Sequence, residues 1–170
     1  MRCLQCDGQT KVRPGPVRYE GAGLAHVYLD GLEVRECAEC GDVLVRIPRV
    51  EELHRRLAEG VATKEQRLSP DEIRFLRKYL GLSGQDLARR LKVRPETVSR
   101  WEHGKQSLRE SVELALRLLA LVEEPRATYA GEEVDRFATR ESEPVSFLVQ
   151  ATSTSWSVPR VQPTEVATQA

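Results

Sequence analysis

Apolar positions along the chain change period twice. In the first third they alternate with polar ones. "AHVYLDGLEVREC" alternates about Asp30–Gly31, a pair that favours a type I′ turn, and "DVLVRI" places Val43, Val45 and Ile47 on one face. This predicts a β-hairpin and a further strand. At "PRVEELHRRLAEG" the spacing lengthens to three and four, with Val50, Leu53 and Leu57 as the stripe, Pro48 near the start and Gly60 as the stop, which predicts a helix. The helical period then resumes from Ser69 to Val122 and predicts four more helices.

The first of these four, "SPDEIRFLRKYLG", carries a capping box of Ser69 and Glu72, Pro70 at its first position, an inner stripe of Ile73, Leu76 and Leu80, and Gly81 as its stop. The second, "SGQDLARRL", is capped by Ser83 and turns Leu87, Ala88 and Leu91 inward. A three-residue turn, Lys92–Val93–Arg94, leads to the third, "PETVSRWEHG", opened by Pro95 and closed by Gly104. The fourth, "SLRESVELALRLLALV", is expected to be capped by Ser107 with Glu110 three residues on. Its inner stripe is expected at Leu108, Val112, Ala115, Leu119 and Val122, with a second stripe at Leu114, Leu118 and Leu121. A second apolar stripe implies either a dimer contact or packing against the chain's own tail. From Pro125 the period vanishes into Ser/Thr/Pro-rich sequence, which predicts disorder. There "PVSFLVQ" is a candidate short strand or docking peptide, and Trp156 stands isolated. The tail either has no specific function or serves in partner contact or as a degradation signal.

Composition sharpens this picture through the cysteines. All four fall in two C-x2-C knuckles, Cys3/Cys6 and Cys37/Cys40, with glycines close behind at Gly8 and Gly41. Two such knuckles complete a tetrahedron of thiolates, and a block this small has little core without a staple. A structural Zn2+ is the expectation, one per chain. The alternatives are a thioredoxin-like redox pair, for which no βαβ unit is visible, and disulfides. A catalytic zinc site does not fit four cysteines, which leave no open position. His26, His54 and His103 are scattered and are expected to be ordinary surface or half-buried histidines. The fold class is therefore expected to be α+β. A zinc-stapled, β-rich domain with a helix spans residues 1–60, an all-α bundle spans 64–124, and 125–170 form a disordered tail. "GVATKEQRL" is expected to act as the linker between the two domains.

Charge then separates the halves. The 170 residues carry equal numbers of acidic and basic side chains, yet Arg74 to Arg109 holds ten Lys/Arg against three Asp/Glu. A local excess of positive charge points to a polyanionic partner for that segment. Two short helices joined by a three-residue turn, with small Ala88 at the crossing, form a helix-turn-helix. Val98 and Trp101, with Val93 in the turn, lock its second helix inward. Glu96, Thr97, Ser99, Arg100 and His103 then face outward, a polar surface that a DNA major groove admits. Arg94 and Lys105 flank the helix ends and are expected to meet phosphates. No P-loop, H-E-x-x-H or G-x-S-x-G pattern occurs, so an enzyme is not expected. No signal sequence or membrane span is expected, which suggests a cytoplasmic protein.

"GLSGQDLARRLKVRPETVSRWEHGK" resembles the Cro/repressor-type helix-turn-helix, with its Leu-Ala in the first helix and its Ser-Arg-Trp-Glu-x-Gly run in the second. Residues 1–122 as a whole resemble the MqsA-type antitoxins, which join an N-terminal zinc domain of the YgiT type to such a helix-turn-helix. The matching residues are Cys3, Cys6, Cys37, Cys40–Gly41, the Ser99–Glu102 run and Gly104. The resemblance implies a homodimer through the helix-turn-helix domain that binds a palindromic DNA operator and represses its own operon. It also implies that the zinc domain meets a toxin, an mRNA-cleaving ribonuclease, and that an arginine aligned with Arg100 reads bases. The sequence departs from that pattern at Glu96, where relatives often carry an amide, and at Lys105–Leu108, where many carry a proline. The alternative function is a stand-alone zinc-containing transcription regulator with no toxin partner.

Overall fold

The computed structural model describes residues 1–122, 145–157 and 159–163. The β-rich first part holds β1 (Thr10–Arg13), β2 (Val17–Arg18), β3 (Val27–Asp30), β4 (Val34–Cys37) and β5 (Val43–Val45). Five helices follow: α1 (Val50–Thr63), α2 (Pro70–Tyr79), α3 (Gly84–Arg90), α4 (Pro95–Glu102) and α5 (Glu110–Val122). Two further strands, β6 (Val145–Gln150) and β7 (Arg160–Pro163), come from the C-terminal segment.

The strands form two sheets, not one hairpin. The three-stranded sheet runs β1-β4-β5, all antiparallel, and the register that sets Thr10 opposite Cys37 brings the two cysteine knuckles to one end. The four-stranded sheet runs β2-β3-β6-β7. The expected hairpin about Asp30–Gly31 does not form. Gly31 does turn the chain at φ 74°, but it hands the backbone from one sheet to the other. The reason is competition for an edge: β3 already pairs with β2 on one side and in parallel with β6 on the other. Val27 and Leu29 of β3 are fully buried in the main core, and Val34 of β4 is fully buried apart from it. Val43, expected to share an inner face with Val45 and Ile47, is exposed.

The C-terminal segment corrects the expectation of disorder in two stretches. "VSFLVQ" lies beside β3 with Val27 opposite Phe147 and Leu29 opposite Val149, and β7 pairs back onto β6. Val145, Phe147 and Val149 are buried, Ser146 is buried between them and Leu148 is partly so, as befits a strand paired on both sides. Trp156 is not isolated: it is 2% exposed, its Nε1 donates to the Pro48 carbonyl at 3.0 Å, and its backbone N–H donates to Glu52 at 3.2 Å. A buried indole with its one donor satisfied is a strong anchor. Residues 123–144, including the start of the expected tail at Pro125, lie outside the described residues, as do 164–170.

Helix α1 ties the two halves together. Its expected stop at Gly60 is not used: the helix continues to Thr63, with Leu53, Leu57, Ala58, Val61 and Ala62 buried and Val50 exposed. Gly60 is a point of close approach: a Cβ there would sit 3.0 Å from the Pro159 ring. The segment expected to be a linker is packed. Lys64 is buried, and its Nζ bonds Glu72 at 2.9 Å and the Arg67 carbonyl at 3.0 Å. One apolar core runs from the β3–β6 pair through α1 into α2, α4 and α5.

Helix α5 departs from its expected phase. Its buried residues are Glu113, Leu116, Arg117, Ala120 and Leu121, while Leu114, Leu118 and Val122 are exposed. An ion pair occupies the middle of the inner face. Arg117 bonds Glu113 at 2.9 Å and donates to the carbonyls of Ala62, Lys64 and Gln66 at 3.0, 2.8 and 2.6 Å. The helix starts at Glu110, three residues beyond Ser107, the expected cap.

Replacing Trp156 with alanine is expected to cost about 3–5 kcal/mol, the usual penalty for truncating a buried aromatic. Urea denaturation of the full chain measures it. A cost below about 1 kcal/mol would mean that the C-terminal strands do not hold the fold.

Candidate metal centre and nucleic-acid interface

The first knuckle closes on itself through two backbone bonds, Cys3 N–H to the Gly8 carbonyl at 2.9 Å and Asp7 N–H to the Cys3 carbonyl at 3.1 Å. The second does the same, Cys37 N–H to Asp42 at 2.9 Å and Gly41 N–H to Cys37 at 3.1 Å. Because β1 and β4 are in register, the four sulfurs converge within 4.8 Å of one another. The close pairs are Cys3–Cys40 at 3.6 Å, Cys6–Cys37 at 3.5 Å and Cys6–Cys40 at 3.4 Å. A zinc–sulfur bond of about 2.3 Å gives a tetrahedral edge of about 3.8 Å, so the set needs little adjustment to hold a metal ion.

The electrostatics point the same way. Backbone N–H groups of Cys40 and Glu39 aim at the Cys37 sulfur and hold its pKa at about 7. The Gly8 amide acts to lower Cys6, but the adjoining Cys40 and Cys37 sulfurs outweigh it and push Cys6 up to about 12. Four sulfurs this close cannot all ionise together without a cation among them. The four cysteines could therefore hold one metal ion, and all four predicted ligands are brought together.

In the helical half, Ser69 and Ser83 each form a complete capping box, with Glu72 and Asp86 respectively. Ser83 also holds the Asp86 carboxyl below its ordinary pKa through its hydroxyl and its backbone N–H. Three helices end in the same way. The N–H of Leu82 bonds Arg77 at 3.1 Å, that of Val93 bonds Ala88 at 2.9 Å, and that of Lys105 bonds Arg100 at 2.9 Å. These are Schellman closures, with a left-handed residue at Gly81, Lys92 and Gly104. The connection between α3 and α4 is Leu91–Arg94, one residue longer than the expected Lys92–Arg94 because α3 stops at Arg90, with lysine in the position that glycine fills in the other two.

Val98 and Trp101 are buried as expected, so the aromatic in this polar stretch serves as the inward anchor of α4. Arg94, Glu96, Ser99, Arg100, His103 and Lys105 are exposed, and Thr97 is partly so. The His103 ring is tied back, with Nδ1 bonded to the Ser99 carbonyl at 2.7 Å, which leaves Nε2 outward. Glu102 has a different task. It is buried and takes both ends of the Arg77 guanidinium, at 2.5 and 3.1 Å, and its carbonyl accepts from Arg74. That fork clamps α4 to α2 and holds Arg77 above its ordinary pKa. Gln85 at the start of α3 and Lys92 in the turn are exposed as well, on the two elements that precede α4. His54 is half-buried, as expected: its Nε2 meets the Tyr19 hydroxyl at 2.8 Å, and burial holds its pKa below the usual value.

The helix-turn-helix family model matches residues 73–118, from the first turn of α2 into α5. No curated protein matches the chain. The match falls on the helices whose outer residues are expected to meet DNA, and it makes this segment the DNA-binding domain of a transcription regulator. Among the described residues, no helix is long and apolar enough to cross a membrane.

Lys92→Gly is expected to stabilise the chain by about 1 kcal/mol, because a left-handed conformation costs a side-chain-bearing residue about that much. Thermal melts read it. An unchanged or lower midpoint would contradict the left-handed closure.

Proposed function

We propose that the protein is a sequence-specific transcriptional repressor whose α4 enters the DNA major groove, and that it is the antitoxin of a type II toxin–antitoxin pair. The observation that carries the DNA half is the clamped α4. Its inner face is fixed by Val98, Trp101 and the Glu102–Arg77 fork, and its outer face offers Glu96, Thr97, Ser99, Arg100 and His103. A rigid helix with long polar side chains outward is what direct base readout requires. Arg100 is assigned to guanine, Glu96 to a cytosine amino group, and Arg94 and Lys105 to phosphates. A second copy is assigned to the exposed row Leu114, Leu118 and Val122, spaced four apart along α5. Two such heads would read a palindrome.

The metal is proposed to be Zn2+, one per chain, with a structural role. The toxin half rests on the combination of a four-cysteine domain at the N-terminus with this helix-turn-helix. No catalytic role is assigned. A second reading, a stand-alone regulator, is favoured by one observation: the chain's own β6 already covers the free edge of β3, an edge that a partner strand would otherwise use. Co-expression with the product of the adjoining reading frame distinguishes the two. Stable co-purification with loss of that product's ribonuclease activity supports the antitoxin, and no association supports the stand-alone regulator.

Arg100→Ala is expected to reduce the preference for the operator over random DNA by about 1–3 kcal/mol per half-site. Lys105→Ala should weaken both alike and lower the salt slope by about 0.9 for each phosphate it no longer neutralises. Titrations on operator and scrambled duplexes at several salt concentrations separate the two effects. An unchanged operator preference in the Arg100 variant would remove α4 from the major groove. Metal analysis of protein purified without added zinc is expected to give one equivalent, and less than about half an equivalent in folded protein would refute the zinc assignment.

A further inference from the structure

We propose that Cys6 and Cys40 are a peroxide-responsive pair that couples zinc release to formation of a single cross-knuckle disulfide. The proposal rests on the assignment of the four cysteines to zinc. The four ligands are not equivalent. Cys3 and Cys37 are buried, whereas Cys6 and Cys40 are exposed. Cys37 is also the last residue of β4, held in the ladder opposite Thr10, while Cys6 and Cys40 sit in the turns of their knuckles. A small hydroperoxide therefore reaches the two sulfurs on the two most adjustable ligands. Their sulfurs lie 3.4 Å apart and come from different knuckles. Bringing them to a disulfide length of about 2.05 Å needs a shift of about 1.4 Å, within the range of two turn residues.

The chemistry balances with the hydroperoxide as oxidant. One thiolate attacks the peroxide, the O–O bond breaks, and the departing oxygen leaves as water or an alcohol after taking a proton. The sulfur is left as a sulfenic acid. The second thiolate attacks that sulfur, the S–S bond forms, and hydroxide leaves and is protonated to water. Two electrons pass from the sulfurs to the peroxide. Zinc keeps only Cys3 and Cys37, too few ligands to retain it. The new bond takes over the metal's task of joining the knuckles, so β1 and β4 stay in register. A dithiol with added Zn2+ then restores the starting state.

The test uses the full zinc-loaded chain with hydrogen peroxide at one to ten equivalents. Zinc release is followed with a chromophoric chelator, and the disulfide is located by non-reducing peptide mapping. The expected result is one zinc released for each disulfide formed, with Cys6–Cys40 the dominant cross-link, reversed by dithiothreitol and zinc. Cys6→His and Cys40→His keep four ligands but cannot form this bond, and each should release zinc at least tenfold more slowly. Two variants guard against one failing to fold, and metal analysis shows which retain zinc. Zinc that stays bound at ten equivalents of peroxide would overturn the proposal, as would cross-links confined within a knuckle, Cys3–Cys6 or Cys37–Cys40. Protein that carries no zinc before peroxide is added would overturn the zinc assignment as well, so the two failures are distinguishable.

Discussion

The structure depends on where the Arg117 guanidinium is placed. It is fully buried, and burial alone pulls its pKa down, so its lost hydration must be replaced by hydrogen bonds. It finds them at the end of α1. The carbonyls of Val61, Ala62 and Lys64 have no partners further along that helix, and they gather the negative end of its dipole. A cation projected from α5 meets those unpaired carbonyls. Glu113, one turn earlier on α5, balances the charge and also accepts from Arg67 and from the Leu68 backbone N–H. Removing one partner of such a group costs far more than the pair contributes when intact. The β-rich half and the DNA-binding half are thus joined by a satisfied polar plug, with apolar core around it.

That plug explains what sequence patterning could and could not show. The capping box at Ser69, the cap at Ser83, Pro70 and Pro95, Gly81 and Gly104, and the inward Val98 and Trp101 were all legible, because each follows from local chemistry within a few residues. The cysteine cluster was legible because two knuckles have few other uses. The inner face of α5 was not. Apolar counting assumes that charged residues face water, and here Glu113 and Arg117 occupy the centre of the buried side. The same assumption turned the α1–α2 connection into a linker, although Lys64 is buried against Glu72. Gly60 misled in another way: it permits close contact with Pro159, a residue almost a hundred positions away, and local sequence cannot distinguish that from a helix stop.

The expected hairpin failed for a related reason. Alternation identified β3 and β4 correctly but does not say which edge pairs with which strand. The deciding partner is β6, in a stretch whose surroundings have the composition of a disordered tail. A few alternating residues within Ser/Thr-rich sequence carry little weight until the open edge they complete is known.

That parallel pairing gives the molecule a particular order of assembly. The register sets Val27 opposite Phe147, so the sheet begun by β2 and β3 is finished by residues made some 120 positions later. At about 5–20 residues per second, some 120 residues take roughly 6–24 s to synthesise. Through that interval β3 has β2 on one side and an open edge on the other, while the helices of the DNA-binding half, built from local contacts, are already able to close. The half that recognises DNA is therefore able to close before the half that precedes it receives its last strands.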